Sequence, residues 1–517
     1  MQNLSNILKT IILIIGIVVV ATIVILNLFL TSRITSEAAE IVKITFNGLI
    51  YILGSITFAV ILYYISKYMK KFIKISKFKK ILIFIGILII YFTLQVVWIN
   101  YRNAYPGADQ NYVYSAAVDM YENEGTNIDF WDYFAKYPQQ LSLMFDEILV
   151  FKIFNTTNVH LLQYINAFTN CFTVLAIYLI TGELSKKVNV NKYRSLVTIF
   201  SFVTLPLLST FVYGDLVGLT FSLFSVLFIM KYENHQDKYD KILCLILSTL
   251  FMAVAYMTRM NMIIVAMAIV IYMCLNLLKE NENAKLKIAR IISIVFFIVL
   301  TIMPGKLIIN HYSKMFNLSK DNKVTLNSYL AMAFSKGQRS YGWYTDKYFD
   351  YVDEYKNENI SCFPNAEEIY TDIVKYKVNV FLHNPKEFVK FFTLKNASMW
   401  AENSYAERFY NSSYCFGGSY YREDVDYKTI DDKLEKSEKI IMIEQKGMII
   451  LLFTYTLLLL IIRRKEISNE ELLLLITFLG GFFFHNLWEA KSRYIIPYII
   501  ALIPLISVEI DFNKLKL

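Results

Sequence analysis

Long apolar runs alternate with short polar connections down most of this chain. Each run lasts about 17–22 residues, enough for a helix to cross roughly 30 Å of hydrocarbon. The pattern predicts crossings at 10–30, 45–66, 81–99, 160–181, 195–212, 216–231, 242–257, 262–278, 290–308, 447–462, 472–488 and 494–509. A strand-built barrel would show short alternating segments instead. The first run, IILIIGIVVVATIVILNLFL, is too long for a signal-peptide core and lacks a small-residue cleavage site, so it reads as a retained helix. The fold class expected is an all-α polytopic membrane protein of about twelve transmembrane helices, in the range set by helix length and bilayer thickness.

The polar connections sort by parity. SKYMKKFIKISKFKK, SKKVNVNKYR, KENENAKLKIAR and RRKE are basic and all fall on one side of the threading, with KYENHQDKYDK weaker on the same side. Excess Lys and Arg in short loops marks the cytoplasmic face, which places both termini inside. The other parity holds the loop 100–159, the turn FVYGDL, the turn MTRMN, the segment 309–446 and HNLWEAKSRY. The expected location is the plasma membrane, multi-pass, with these five connections facing outward and building any active site. The chain divides on this reading into an added N-terminal helix pair at 1–70, a core at 71–308 with the first large outer loop, an outer segment at 309–446 and C-terminal helices at 447–517.

Composition agrees. Hydrophobic residues are 56% and charged residues 18%, and the mean hydropathy is +0.42. The formal net charge of +9 follows from the basic cytoplasmic loops and calls for no nucleic-acid partner. The abundance of Ile, Lys and Asn fits an AT-rich bacterial genome. The outer segments are rich in aromatic residues and poor in Gly, unlike disordered linkers. In one of them Leu141, Met144, Phe145 and Ile148 form a stripe at helical spacing, suited to the membrane interface or to packing against neighbouring outer loops.

Candidate chemistry gathers on the outward parity. Asp109 stands in a Pro-Gly turn directly after a span, and Asp215 sits in the short VYGDLVGL turn. Each alone reads equally well as a turn acid; on one face the two form a candidate pair. Arg259 runs against the orientation rule, which either snorkelling or pairing with phosphate explains. HNLWEAKSRY crowds His485, Trp488, Glu489, Lys491, Arg493 and Tyr494 into one connection, more than an aromatic belt requires. Trp343 and its neighbouring tyrosines could stack on a sugar face, and Lys395 could reach an anion, although ordinary packing serves for both. No P-loop, dinucleotide fingerprint, zinc spacing or G-x-S-x-G turn occurs, and only 5 His are present. Cys171, Cys244 and Cys274 fall in spans; Cys362 and Cys415 share the outer segment, where an oxidising compartment would permit a disulfide.

The motifs YPGADQ, YFAKYPQQ, VYGD, AFSKGQRSYGWY and LWEAKSRYIIPY, in that order and on one side of the membrane, resemble the GT-C superfamily of membrane glycosyltransferases. The nearest branch is the bacterial family 39-like group, akin to protein O-mannosyltransferases and lipid A aminoarabinose transferases. One departure is that the first large outer loop follows the third span here. The resemblance implies transfer of a sugar from a polyprenyl-phosphate donor to a cell-envelope acceptor (polysaccharide, teichoic acid, lipid or protein) by inverting displacement. It implies Asp109 as base and Asp215 as the second acid. Arg259, Lys395 and Arg493 would bind the donor phosphate. Tyr137, Gln140, Trp343, Glu489 and His485 would bind sugar or acceptor. No cofactor and no metal are expected. Two other readings stay open: a lipid-linked glycan polymerase or ligase using a pyrophosphate donor, and a lipid-glycan transporter or flippase. The second is weakened by nearly charge-free spans and the lack of internal repeats.

Overall fold

The computed structural model describes residues 2–35, 40–72, 76–125, 131–278, 284–319, 323–345, 367–411 and 427–511. Cys362 and Cys415 lie outside them. Helix α1 (Gln2–Phe29) leads into a hairpin of β1 (Leu30–Ile34) and β2 (Val42–Phe46), paired antiparallel with Ser32 opposite Ile44. Then come α2 (Leu49–Phe72) and α3 (Lys77–Arg102). Three helices fill the first large loop: α4 (Asp109–Glu122), α5 (Trp131–Lys136) and α6 (Gln140–Phe154). Next are α7 (Val159–Leu184), α8 (Lys192–Phe200), α9 (Thr204–Leu207), α10 (Asp215–Asn234), α11 (Lys238–Thr258), α12 (Ile263–Leu277) and α13 (Ala284–Met315). The segment after α13 holds α14 (Leu326–Phe334), α15 (Glu367–His383), α16 (Pro385–Trp400) and α17 (Glu407–Asn411). The chain ends with α18 (Tyr427–Ile462), α19 (Asn469–Leu487) and α20 (Ile496–Leu502).

Among the described residues ten helices are long and apolar enough to cross a membrane, and each falls on an expected crossing. The other two expected crossings are interrupted. At 195–212 the chain bends by 43° between α8 and α9. Pro206 has no N–H to offer the carbonyl four residues back and its ring crowds that carbonyl, which breaks the helix ahead of it. Gln445 on α18 donates to the Ser201 carbonyl at 2.7 Å, covering an acceptor at the break. At 494–509 the apolar helical stretch Ser492–Ser507 is shorter and passes from α-helix into a 3₁₀ turn at Ile503, with Pro504 following.

The alternating thread leaves two distinct ends. At one, Lys70 pairs with Glu509 at 2.8 Å, the Glu509 amide donates to Asn189, and Asn469 donates to Asn276 at 2.7 Å. This is the end of the basic connections. At the other, the hairpin is sewn to the later chain: the Ser32 amide bonds to Ala401, the Val42 amide to Arg339, and the Ala490 amide to Gly342. Lys446, inside the α18 span, donates to the Leu30 carbonyl at 2.6 Å and the Asn27 carbonyl at 3.3 Å. A cation there meets the carbonyl-rich end of α1 and has a structural task. The stripe on α6 faces protein: Leu141, Met144 and Ile148 are buried in the main core, and α6 packs on α4.

Candidate active site

Helix ends carry the candidate chemistry. Asp109 opens α4, preceded by Ala108 at φ 52°, a conformation that a residue with a Cβ seldom adopts. The Asp109 side chain is exposed, and among the described residues no hydrogen bond or ion pair engages its carboxylate. Asp215 opens α10 and is preceded by Gly214 at φ 78°. A Cβ on Gly214 would sit 2.5 Å from the Thr258 carbonyl oxygen, so only glycine lets this turn pass against the end of α11. That close approach brings Asp215 beside Arg259, the residue capping α11, at 3.3 Å.

Arg493 closes on the same carboxylate, its Nη1 donating to Asp215 Oδ2 at 2.6 Å. Two guanidinium groups therefore share one acid. Aromatic faces carry the rest of their surface: Arg493 lies over Phe211 at 4.1 Å and Tyr410 at 4.8 Å, and Arg259 over Tyr213 at 4.7 Å. The ring of Tyr494 has Arg259, Arg493 and Lys491 within 5.9 Å of its centroid. Desolvated cations against rings in this way gain on the order of 2 kcal/mol each.

A second acid joins from the hairpin. Glu40 is buried and receives Arg339 Nη1 at 2.6 Å, Lys491 Nζ at 2.9 Å and the Tyr410 hydroxyl at 2.6 Å. Burial opposes its ionisation, but Lys491 and Arg339 outweigh it and hold Glu40 below the usual carboxylate range. Glu489, partly buried, moves the other way: burial raises it, Lys491 opposes, and Glu40 and Asp109 add to the rise.

Tyr213 ties Asp109 to this cluster. Its hydroxyl meets the Tyr133 hydroxyl at 2.8 Å and accepts from Gln140 Nε2 at 2.8 Å. Burial and then, for Tyr213, the charge of Asp109 push both phenols upward, so both stay protonated. Beside Asp215 and Arg493 lies a small apolar recess of about 10 Å³, lined by Leu208, Phe211, Leu216, Leu219, Ile496 and Pro497.

The expected site residues divide into two sets. Asp109, Asp215, Arg259, Arg493, Gln140 and Glu489 come together at this end of the bundle, and Tyr137 packs on Tyr133 at its edge. The structure does not bring Lys395, Trp343 and His485 into the same open cluster. Lys395 is fully buried, and its Nζ donates to the Ala333, Asn486 and Trp488 carbonyls at 2.8, 3.0 and 3.0 Å. All three of its donors are committed, and burial pushes its pKa well down. Trp343 is buried and donates to Ser398 at 2.8 Å. His485 is buried behind Tyr494 and Tyr498, with Nδ1 3.2 Å from the Glu489 carbonyl. Glu40, Arg339, Lys491, Tyr213 and Tyr410 complete the cluster without having been singled out as site residues. Arg339 and Lys491 stand inside motifs already noted; Glu40 has no local signal at all. Among the described residues, no group of three or more His, Cys, Asp or Glu side chains is placed to hold a metal ion.

Fold and site together define a polytopic integral membrane protein with a charged, tyrosine-lined cluster at one end of its helices. The chain belongs to the family of conserved hypothetical integral membrane proteins, whose model matches residues 1–337. The matched stretch carries Glu40, Asp109, Asp215 and Arg259, while Arg339, Lys491 and Arg493 lie beyond it. No curated protein and no solved structure matches the chain.

Proposed function

We propose that this protein is a membrane glycosyltransferase of the GT-C kind. It takes a sugar from a polyprenyl-phosphate donor and passes it to a cell-envelope acceptor on the extracytoplasmic face of the plasma membrane. The observation that carries this reading is the convergence on Tyr494 of Arg259, Arg493 and Lys491, beside an unengaged carboxylate, Asp109. Cations held by carboxylates and rings in a partly dry setting suit a phosphate headgroup, because they are oriented before it arrives.

In the proposed step the acceptor hydroxyl attacks the anomeric carbon as the bond from that carbon to the phosphate oxygen breaks. Asp109 takes the hydroxyl proton, and the lipid phosphate leaves with the bonding electron pair. Arg259 and Arg493 stabilise the charge growing on the phosphate. Asp215 keeps both guanidinium groups aimed at it. Tyr133 and Tyr213, protonated and near Asp109, share one hydroxyl hydrogen between them and leave one O–H to donate to an acceptor or sugar oxygen, with Gln140 holding Tyr213 in place. Proton removal by a placed base contributes about 10²–10⁴-fold to rate.

The test is a transfer assay in membrane vesicles from cells making the protein, supplied with labelled polyprenyl-phosphate sugars. The expected result is label moving to an envelope fraction with the intact protein and not with Asp109→Asn. Label moving equally well with that variant would remove the assignment of the base.

A further inference from the structure

Two acids divide four cations in this cluster. Asp215 takes Arg259 and Arg493; Glu40 takes Arg339 and Lys491. The halves are one electrostatic unit, since Tyr410 donates to Glu40 while its ring lies against both Arg493 and Lys491. The four cations outnumber the two carboxylates that bind them directly, while Asp109 and Glu489 stand near the same cluster. Three of the four cations remain reachable: the side chains of Arg339, Lys491 and Arg259 keep 26%, 12% and 10% of their surface exposed, whereas Arg493 keeps 3% and Glu40 4%. Glu40 thus sits behind its cations as a fixed internal anion, delivered by a hairpin that comes from the far end of the sequence.

Such an anion sets how much negative charge a ligand can bring. The phosphodiester of a polyprenyl-phosphate sugar has a single ionisable oxygen and carries about one negative charge. A lipid diphosphate brings about one more, which the buried carboxylate opposes through a medium of low dielectric constant. We propose that Glu40 is a charge-selectivity residue, an internal counter-ion that fits this site to a lipid monophosphate and turns it against a diphosphate. The inference rests on the proposed lipid-phosphate reading. It adds that the discriminating group is carried by residues 30–46, a segment that supplies none of the expected catalytic residues.

The test compares binding of farnesyl phosphate and farnesyl diphosphate to the purified full-length protein in detergent micelles at pH 8. The wild-type chain should favour the monophosphate. Glu40→Gln should shift the ratio of dissociation constants toward the diphosphate on the order of tenfold, the effect of one buried charge near the ligand. Lys491→Met should shift it the opposite way, and the double variant should return it to the wild-type value, because the charge count is restored. A purely structural role for Glu40 would weaken both ligands alike and would show no such restoration. Ratios that stay put in all three variants overturn the selectivity role while leaving the lipid-phosphate reading standing. Failure of the wild-type protein to bind either ligand overturns both.

Discussion

At the end of the bundle that holds the basic connections, three buried acids each hold a single arginine or lysine. Arg463 meets Glu471, Arg290 meets Glu233 at 2.6 Å, and Lys186 meets Glu183 at 2.7 Å. Several of these pairs fasten helix ends: Glu471 also closes a capping box with Ser468 at the start of α19. At the opposite end the pairing is shared. Asp215 serves two arginines, Glu40 serves Arg339, Lys491 and a tyrosine, and one aromatic ring borders three cations. One-to-one pairing finishes a fold, while shared pairing leaves positive charge unspent. Unspent charge at the mouth of a membrane protein is what an anionic ligand would use.

Substitutions at the two ends should therefore fail in different ways. The largest effect is expected for Asp109→Asn, which removes one proton acceptor and barely changes volume. Transfer should fall by at least about 10²-fold with normal thermal stability. Arg493→Ala should follow, leaving Asp215 with one partner: affinity for farnesyl phosphate should drop roughly 30-fold, as for truncation of a buried, hydrogen-bonded charge. Glu471→Gln sharpens the contrast from the other side. It takes from a largely buried Arg463 the closer of its two carboxylates, leaving Glu466 at 3.9 Å, and should cost up to about 3 kcal/mol of stability, seen as a lower melting temperature, while phosphate binding stays unchanged.

The smallest effect is a pH dependence. Asp146 accepts from the Thr258 hydroxyl at 3.0 Å, and burial pushes its carboxyl up to about 7. An acid raised on folding holds its proton better in the folded state. Its contribution is then complete below the ordinary Asp value near 3.9 and is lost as pH climbs toward 7. Melting temperature should decline over that window in the intact protein. Asp146→Asn should flatten the decline; an identical profile would show that another group titrates.

Much of this was legible in the chain. Among the described residues the apolar runs marked all ten helices long and apolar enough to cross a membrane, because span length is set by bilayer thickness and local composition alone. The parity of the connections placed Asp109, Asp215, Arg259, Glu489 and Arg493 at one end, hundreds of residues apart in sequence. What the chain hid depends on packing. Pro206 and Pro504 lie in runs as apolar as their neighbours, so the interrupted crossings looked continuous. Lys395, in FFTLKNASMW, is compatible with an anion site or a buried anchor. Only the approach of the 486–488 carbonyls decides which. Glu40 was invisible because nothing in RITSEAAEIVK separates it from Glu37; its role comes from the pairing of Val42 with Arg339, which draws two distant loops around one carboxylate.

The central claim is that the shared cluster, and not the rest of the membrane domain, performs sugar transfer to the envelope. Its most direct test is sugar analysis of the envelope from cells lacking this protein and then supplied with the intact chain, Asp109→Asn or Glu471→Gln. The account predicts a sugar missing from the deletion strain, restored by the intact chain and by whatever Glu471→Gln protein accumulates, and still missing with Asp109→Asn at normal abundance. An envelope unchanged by the deletion, or fully restored by Asp109→Asn, would contradict it.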